Sequence, residues 1–157
     1  MAVFRVVRTT PLSVDQAWRR LTDWPGHAAH VPLTRISVLT PEASGEGTCF
    51  VARTGLGPLA VDDPMEVVRW EVPGPGRPGR CRLEKRGRTI MGWAEIEVRE
   101  RPLGTRVTWV EELRVRRLPR ALDLVLARAG RRVFGRAVDG LLSTGAGPRS
   151  AYRHGSG

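Results

Sequence analysis

The sequence predicts an α+β fold in which a curved antiparallel sheet of about seven strands lies over a long C-terminal helix. Three observations predict it. Alternating runs typical of strands fill residues 35–116, short turn-like segments separate them, and an amphipathic helical pattern follows. The 157 residues suffice to bury a core without disulfides or metals. We therefore expect a single domain over residues 1–142.

The N-terminal part predicts one strand followed by two short helices. Residues 4–10 alternate and are rich in β-branched side chains, as in a strand. A capping-box pattern that begins at Ser13 precedes a helical spacing of apolar residues. The segment DWPG at 23–26 breaks this helix, and HAAHV at 27–31 predicts a second short one.

Six further strands are predicted between residues 35 and 116. Pro- and Gly-rich segments separate them, of which PGPGRPG at 73–79 is the clearest. Consecutive strands on short connections form an antiparallel meander. Pro64 interrupts the third of these strands, so we expect a bulge or an edge position there.

The chain becomes helical again from Pro119 to about Leu142. Arginines occupy one face of this helix, and the other carries apolar side chains, namely Leu118, Leu122, Val125, Ala129 and Val133. The apolar face of a long sheet needs a cover, and this is the only long helix available. We expect it to lie in the curve of the sheet, which is a helix-grip arrangement. Residues 143–157 are small, polar and glycine-rich, so we expect a disordered tail.

The charge of the chain favours anionic partners but does not identify one. The net charge is +10, and of the 26 basic residues only Lys85 is a lysine. A basic surface attracts nucleic acid or acidic lipid, although an arginine bias also follows from a GC-rich genome. The aromatic residues fall inside strand and helix patterns and RNA-stacking motifs are missing, which argues against nucleic acid.

The sequence also predicts a cytoplasmic protein. The N-terminus MAVFRVVRTT lacks the long apolar run of a signal peptide, and no stretch approaches the roughly 20 apolar residues that span a bilayer. Cys49 and Cys81 are isolated, which is typical neither of a disulfide framework nor of a metal site and favours a reducing compartment.

Four features in chain order carry a family resemblance. They are SVDQAWRRLTDWPGHAAHVP after the first strand, DPMEVVRW, GTRVTW and the terminal helix. In the order of these segments and in their residue patterns, residues 3–142 resemble the SRPBCC superfamily. This superfamily includes START domains, birch-pollen-allergen relatives and polyketide cyclase/dehydrase-like proteins. The resemblance implies a deep, mainly apolar cavity that binds a lipid, sterol, polyketide or other hydrophobic molecule. Some members catalyse cyclisation or dehydration, and the fold alone does not choose between binding and catalysis.

Glu111, in WVEEL, is the candidate residue for chemistry. It shares a strand face with Trp109, because side chains alternate along a strand. If Val98 pairs with Val107 across the PLG turn, Glu111 faces Ala94, next to Gly92, and these small residues leave space for a ligand. The alternative is that Glu111 lies near an open end of the sheet, where it is solvated or salt-bridged.

A buried Glu111 has chemical consequences. The carboxylate would need an arginine, a histidine, water or a ligand as partner, and its pKa would otherwise rise. A pKa tuned in this way would suit a general acid or base. His27 at a cavity mouth and an inward Arg53 are the candidate assistants, although Arg53 also suits a solvated outer face.

Other residues are candidates for the cavity wall rather than for chemistry. Trp109 is the strongest, because its face also holds Glu111. The remaining wall candidates are Phe50, Met65, Leu83, Met91, Leu122 and Leu126. Asp62 and Asp63 do not form a catalytic pair, because neighbours on a regular strand face opposite sides.

The expected function is the binding of a hydrophobic small molecule, lipid or polyketide-like, between the sheet and the C-terminal helix. Two alternatives stay open: a polyketide cyclase or aromatase-like enzyme that uses Glu111, and a basic-surface protein that binds anionic lipid or nucleic acid. His27 and His30 are too few for a zinc site, and no dinucleotide fingerprint occurs. We expect neither a metal nor a cofactor, and the sequence sets no oligomeric state.

Overall fold

The computed structural model describes residues 1–143, and within them the strands form one antiparallel sheet. The strands are β1 (Ala2–Thr10), β2 (Thr34–Val38), β3 (Cys49–Thr54), β4 (Val61–Glu71), β5 (Gly79–Arg86), β6 (Ile90–Arg101) and β7 (Gly104–Val115). The helices are α1 (Val14–Leu21), α2 (Trp24–His27) and α3 (Asp123–Leu142). The strand order is β1-β7-β6-β5-β4-β3-β2, so β1 joins the far end of the meander. The predicted α+β helix-grip fold is confirmed; residues 144–157, the rest of the predicted tail, lie outside the described residues.

The two short helices follow local signals in the sequence. The capping box of α1 is present: the Ser13 hydroxyl accepts from the Gln16 amide at 3.2 Å, and the Gln16 side chain accepts from the Ser13 amide at 3.1 Å. The second helix begins at Trp24, three residues before the predicted start, with Pro25 in its first turn. Proline is favoured in a first helical turn, because its missing N–H has no partner there in any case. The segment that was predicted to break α1 therefore begins α2.

The hairpin of β6 and β7 has the predicted register. Val98 lies opposite Val107, and Ala94 lies opposite Glu111. Gly92 has a φ of +132°, and a Cβ at this position would collide with the carbonyl oxygen of Glu112. A larger residue is therefore excluded at position 92, so β6 itself places no side chain at this point of the inner sheet face.

Pro64 has the edge position that was one of its two predicted alternatives, and the irregularity of β4 lies elsewhere. Pro64 pairs with Val51 of β3, and the ladder with β5 starts only at Met65. Pro64 therefore lies where β5 requires no N–H donor from it. The register shift falls instead between Val67 and Arg69.

Helix α3 covers the sheet with a face that matches the predicted one at Ala129 and Val133, which line the cavity, but not at Leu122 and Val125. Leu122 is 42% exposed and Val125 is 59% exposed. The inward face consists of Leu126, Gly130, Val133, Phe134, Ala137, Val138 and Leu141. Residues 124–126 are all apolar, so at the start of α3 the spacing of apolar residues is compatible with more than one inward face. No described helix is both long enough and apolar enough to cross a membrane.

Candidate functional site

A cavity of about 320 Å³ lies between the inner face of the sheet and α3. Its wall is mainly apolar, as is typical of sites for small molecules. Seven of the predicted ligand-contact residues line it, namely His27, Phe50, Met65, Leu83, Trp109, Glu111 and Leu126. The sequence pattern therefore brings together most of its candidate wall residues, from α2, several strands of the sheet and α3.

Three predicted contact residues lie elsewhere. Met91 lies opposite Arg86 and is out of phase with the inward Ala94, so it is on the outer face of the sheet. Leu122 precedes α3 in a short 3-10 turn and is largely solvent-exposed. Arg53 is exposed and donates to Asp62 at 3.1 Å. The outer-face alternative for Arg53 is thus the correct one.

Glu111 is buried, and its carboxylate is held on both oxygens. The side chain is 2% exposed. Its Oε1 lies 3.1 Å from the Nζ of Lys85, and its Oε2 accepts a hydrogen bond from the Trp109 indole at 3.1 Å. Lys85 also donates to Asp63 Oδ2 at 2.5 Å. Glu111 is therefore salt-bridged as one alternative required, but inside the fold and to a lysine, not to an arginine or histidine.

The small residues of β6 allow this contact between side chains of two other strands. Lys85 on β5 lies opposite Gly92, and Glu111 on β7 lies opposite Ala94. Because Gly92 has no side chain, the Lys85 side chain can cross β6 and reach Glu111. Part of the space that the small residues were predicted to leave for a ligand is therefore occupied by Lys85.

The sequence contains a signal for both missed residues. Lys85 is in phase with the buried Cys81 and Leu83, so alternation along β5 predicts an inward side chain. Asp63 is buried on β4, while its neighbour Asp62 is exposed on the outer face. The two aspartates thus face opposite sides as predicted, and the inward one belongs to the cavity wall.

Asp63, Lys85 and Glu111 form a buried cluster in which the lysine stabilises the two carboxylates. Burial opposes the charged form of Lys85, but the attraction of Glu111 and Asp63 and their hydrogen bonds raise its pKa overall. The lysine is therefore an ammonium. Burial raises the pKa of Asp63 against the opposing effect of Lys85. Asp63 Oδ1 is buried with no hydrogen-bond partner in the described part of the chain, and so is the indole nitrogen of Trp24.

His27 forms an aromatic part of the same wall. Its Nε2 lies 2.8 Å from the carbonyl oxygen of Leu21, and its ring centroid lies 5.6 Å from those of Trp24 and Trp109. Burial lowers the pKa of His27, so the neutral ring donates from Nε2 to Leu21. Within residues 1–143 no group of three or more His, Cys, Asp or Glu side chains is arranged to hold a metal ion.

A family profile matches residues 1–144 of the chain. Its description is "Polyketide cyclase / dehydrase and lipid transport". No curated protein matches this sequence closely enough to count as a relative.

Solved structures share the fold at low sequence identity. A protein from Thermus thermophilus has a TM-score of 0.71 and 16% identity, with 88% of this chain and 93% of that chain covered. A START superfamily protein from Mycobacterium smegmatis has a TM-score of 0.69 and 9% identity, over 90% and 97%. The Zhui aromatase/cyclase from a Streptomyces species has a TM-score of 0.65 and 13% identity, over 89% and 90%. At such identities the likeness concerns the fold alone.

Proposed function

The chain belongs to the polyketide cyclase / dehydrase and lipid transport family, and on that premise we propose that it binds a hydrophobic small molecule between the sheet and α3. The observation that carries the proposal is the cavity of about 320 Å³, whose apolar wall contains one buried cluster of charged groups. A concave apolar site with a few convergent polar groups is the usual form of a small-molecule site.

The geometry of Glu111 supports binding better than cyclase-like catalysis. A general base must have a free oxygen within reach of the proton that it abstracts. Both oxygens of Glu111 are already engaged, one in the ion pair with Lys85 and one as acceptor of the Trp109 hydrogen bond. The carboxylate is thereby fixed as a structural acceptor in the wall, and the ligand meets a preorganised polar end rather than a free base.

A second interaction, with an anionic lipid surface, is favoured by the start of α3. Leu124 is 70% exposed and Val125 is 59% exposed, close in sequence to the exposed Arg128 and to Leu126 in the cavity wall. Exposed apolar side chains among arginines are typical of helices that lie on acidic membranes. We propose that this segment contacts such a surface while the ligand enters or leaves.

Filling the cavity tests the proposed function. Ala94 is buried and lines the cavity, so Ala94→Leu should occupy ligand volume. Ala121→Leu, at an exposed position outside the cavity, is the matched control. We expect Ala94→Leu to weaken the binding of decan-1-ol about tenfold, and the control to leave it unchanged, by isothermal titration calorimetry.

Native mass spectrometry of the purified protein provides an independent readout. The wild type should retain an apolar compound that Ala94→Leu loses, and thermal melting should show that both variants fold. Equal affinity for decan-1-ol in all three proteins would contradict binding in this cavity.

A further inference from the structure

The buried cluster in the cavity wall leaves one hydrogen-bond acceptor open. Of its four carboxylate oxygens, Glu111 Oε1 faces Lys85, Glu111 Oε2 accepts from Trp109, and Asp63 Oδ2 accepts from Lys85. Asp63 Oδ1 has no partner among the described residues. A buried oxygen without a donor is unfavourable. Because Asp63 lines the cavity, a turn of its carboxyl group toward a ligand donor would supply the missing hydrogen bond.

The same cluster leaves one N–H group of Lys85 without a strong acceptor. The Lys85 ammonium carries three N–H groups. One is directed to Asp63, one to Glu111, and the remaining contact is with the sulfur of Met65 at 4.0 Å. A thioether is a weak acceptor. Asp63, Lys85 and Met65 all line the cavity, so a ligand head group beside them meets an open acceptor and an available donor together.

We infer that the ligand is a neutral apolar molecule whose polar end is a hydroxyl group, either an alcohol or a phenol, placed between Asp63 and Lys85. This inference rests on the proposed function. A hydroxyl can donate to Asp63 Oδ1 and accept from Lys85 Nζ at the same time. It also serves either protonation state of Asp63, because it can accept from the acid as well as donate to the carboxylate.

Charged head groups fit the cluster less well. With all three groups ionised, two carboxylates and one ammonium give a net charge of about −1. A ligand carboxylate would place further anionic oxygens against Asp63 Oδ1, which has no proton to share when it is ionised. A ligand ammonium could donate to Asp63 but would be repelled by Lys85 and could accept nothing from it.

Four decyl-sized probes of nearly equal apolar length separate these cases: decan-1-ol, 1-methoxynonane, decanoate and decylamine. Their affinities for the wild type are measured by isothermal titration calorimetry at about pH 8, with the alcohol and the ether below their solubility limits and the two charged probes below their micelle concentrations. We expect decan-1-ol to bind about fivefold more tightly than the ether, which accepts but cannot donate. It should bind at least about tenfold more tightly than decanoate.

Asp63→Asn is the variant that tests the open acceptor. If the amide oxygen keeps the contact with Lys85, an N–H group replaces Oδ1, and the preference for the alcohol over the ether should disappear. Asp62→Asn is the matched control, because the neighbouring aspartate is exposed and bound to Arg53 on the outer face. The control should keep the wild-type preference, and thermal melting should show that both variants fold.

The possible outcomes separate this inference from the proposed function. Equal binding of all four probes to the wild type, or tighter binding of decanoate or decylamine than of decan-1-ol, would overturn the hydroxyl inference alone. The absence of binding for every probe would contradict the proposed function and the inference with it. The comparison among probes needs only the wild type, so the inference stays testable if Asp63→Asn fails to fold.

Discussion

At the scale of single residues, Lys85 decides whether two buried carboxylates are tolerated. Removal of one partner from a buried ion cluster leaves uncompensated charge in a medium of low dielectric constant. We expect Lys85→Met to lower the free energy of unfolding by about 3–5 kcal/mol, measured by urea denaturation at neutral pH. The variant leaves Asp63 and Glu111 without their shared cation.

The neighbouring arginine provides the control for this change. Arg86 follows Lys85 in the sequence but is exposed, and it donates to Glu66 at 2.9 Å. Surface ion pairs contribute little, so Arg86→Met should change the free energy of unfolding by less than about 1 kcal/mol. Similar losses for the two variants would show that Lys85 has no special role in the cluster.

The position of Glu111 could be predicted from the sequence, whereas its partner was missed. Alternation and the length of the PLG turn set the register of the β6–β7 hairpin, and this register places Ala94 opposite Glu111. Lys85 belongs to another strand, and its contact with Glu111 depends on how β5 pairs with β6. Alternation along β5 indicates that Lys85 points inward. Its contact with Glu111 across Gly92 could be predicted only from the pairing of β5, β6 and β7 together.

At the scale of elements, two glycines of α3 should respond in opposite directions to the same substitution. A Cβ at Gly130 would lie 2.6 Å from Cε1 of Phe4, a buried ring stacked on Phe134. A Cβ at Gly135 would meet only the flexible end of Arg8, at 3.2 Å. We therefore expect Gly130→Ala to destabilise the protein by roughly 1–3 kcal/mol through overpacking.

Gly135→Ala should instead stabilise the protein by up to about 1 kcal/mol, because alanine has the higher helix propensity. Urea denaturation measures the change in the free energy of unfolding for both variants. The gain in helix propensity is the same in both, so the difference between them reports the packing around each position. A destabilised Gly135→Ala, or a Gly130→Ala as stable as the wild type, would contradict the described packing of α3 on β1.

The orientation of α3 shows where periodicity loses its predictive value. From Leu126 onward, the inward face follows helical spacing through Val133 and Leu141. At the start of the helix, Leu124 and Val125 are as apolar as Leu126, so the sequence alone did not select the inward residue. The choice depends on how α3 lies against β1 and over the cavity, which is tertiary information.

At the scale of the whole molecule, positive charge is distributed unevenly. Many arginines of the sheet are neutralised by nearby acids, including Arg80 with Glu97 and Arg82 with Glu95. On α3, by contrast, Arg128, Arg131 and Arg132 form no ion pair with any described residue. Helix α3 thus presents three arginines without an ion-paired acid among the described residues, close to the exposed Leu124 and Val125.

This distribution predicts salt-dependent binding to anionic vesicles. The wild type should bind phosphatidylglycerol-containing vesicles at low ionic strength and dissociate near 0.5 M salt, where the Debye length is about 4 Å. Arg128→Glu/Arg132→Glu, on the face of α3 that also carries Leu124, should weaken binding about tenfold or more. Sedimentation with the vesicles measures the bound fraction.

A variant with the same net charge separates a specific face from a general attraction. Arg35→Glu/Arg77→Glu makes the same change at two exposed positions outside α3. If α3 forms the contact, this control should retain most of the binding, because screened charges act over only about a Debye length. Equal losses in the two double variants would indicate a non-specific attraction, and no binding at low salt would exclude the lipid contact altogether.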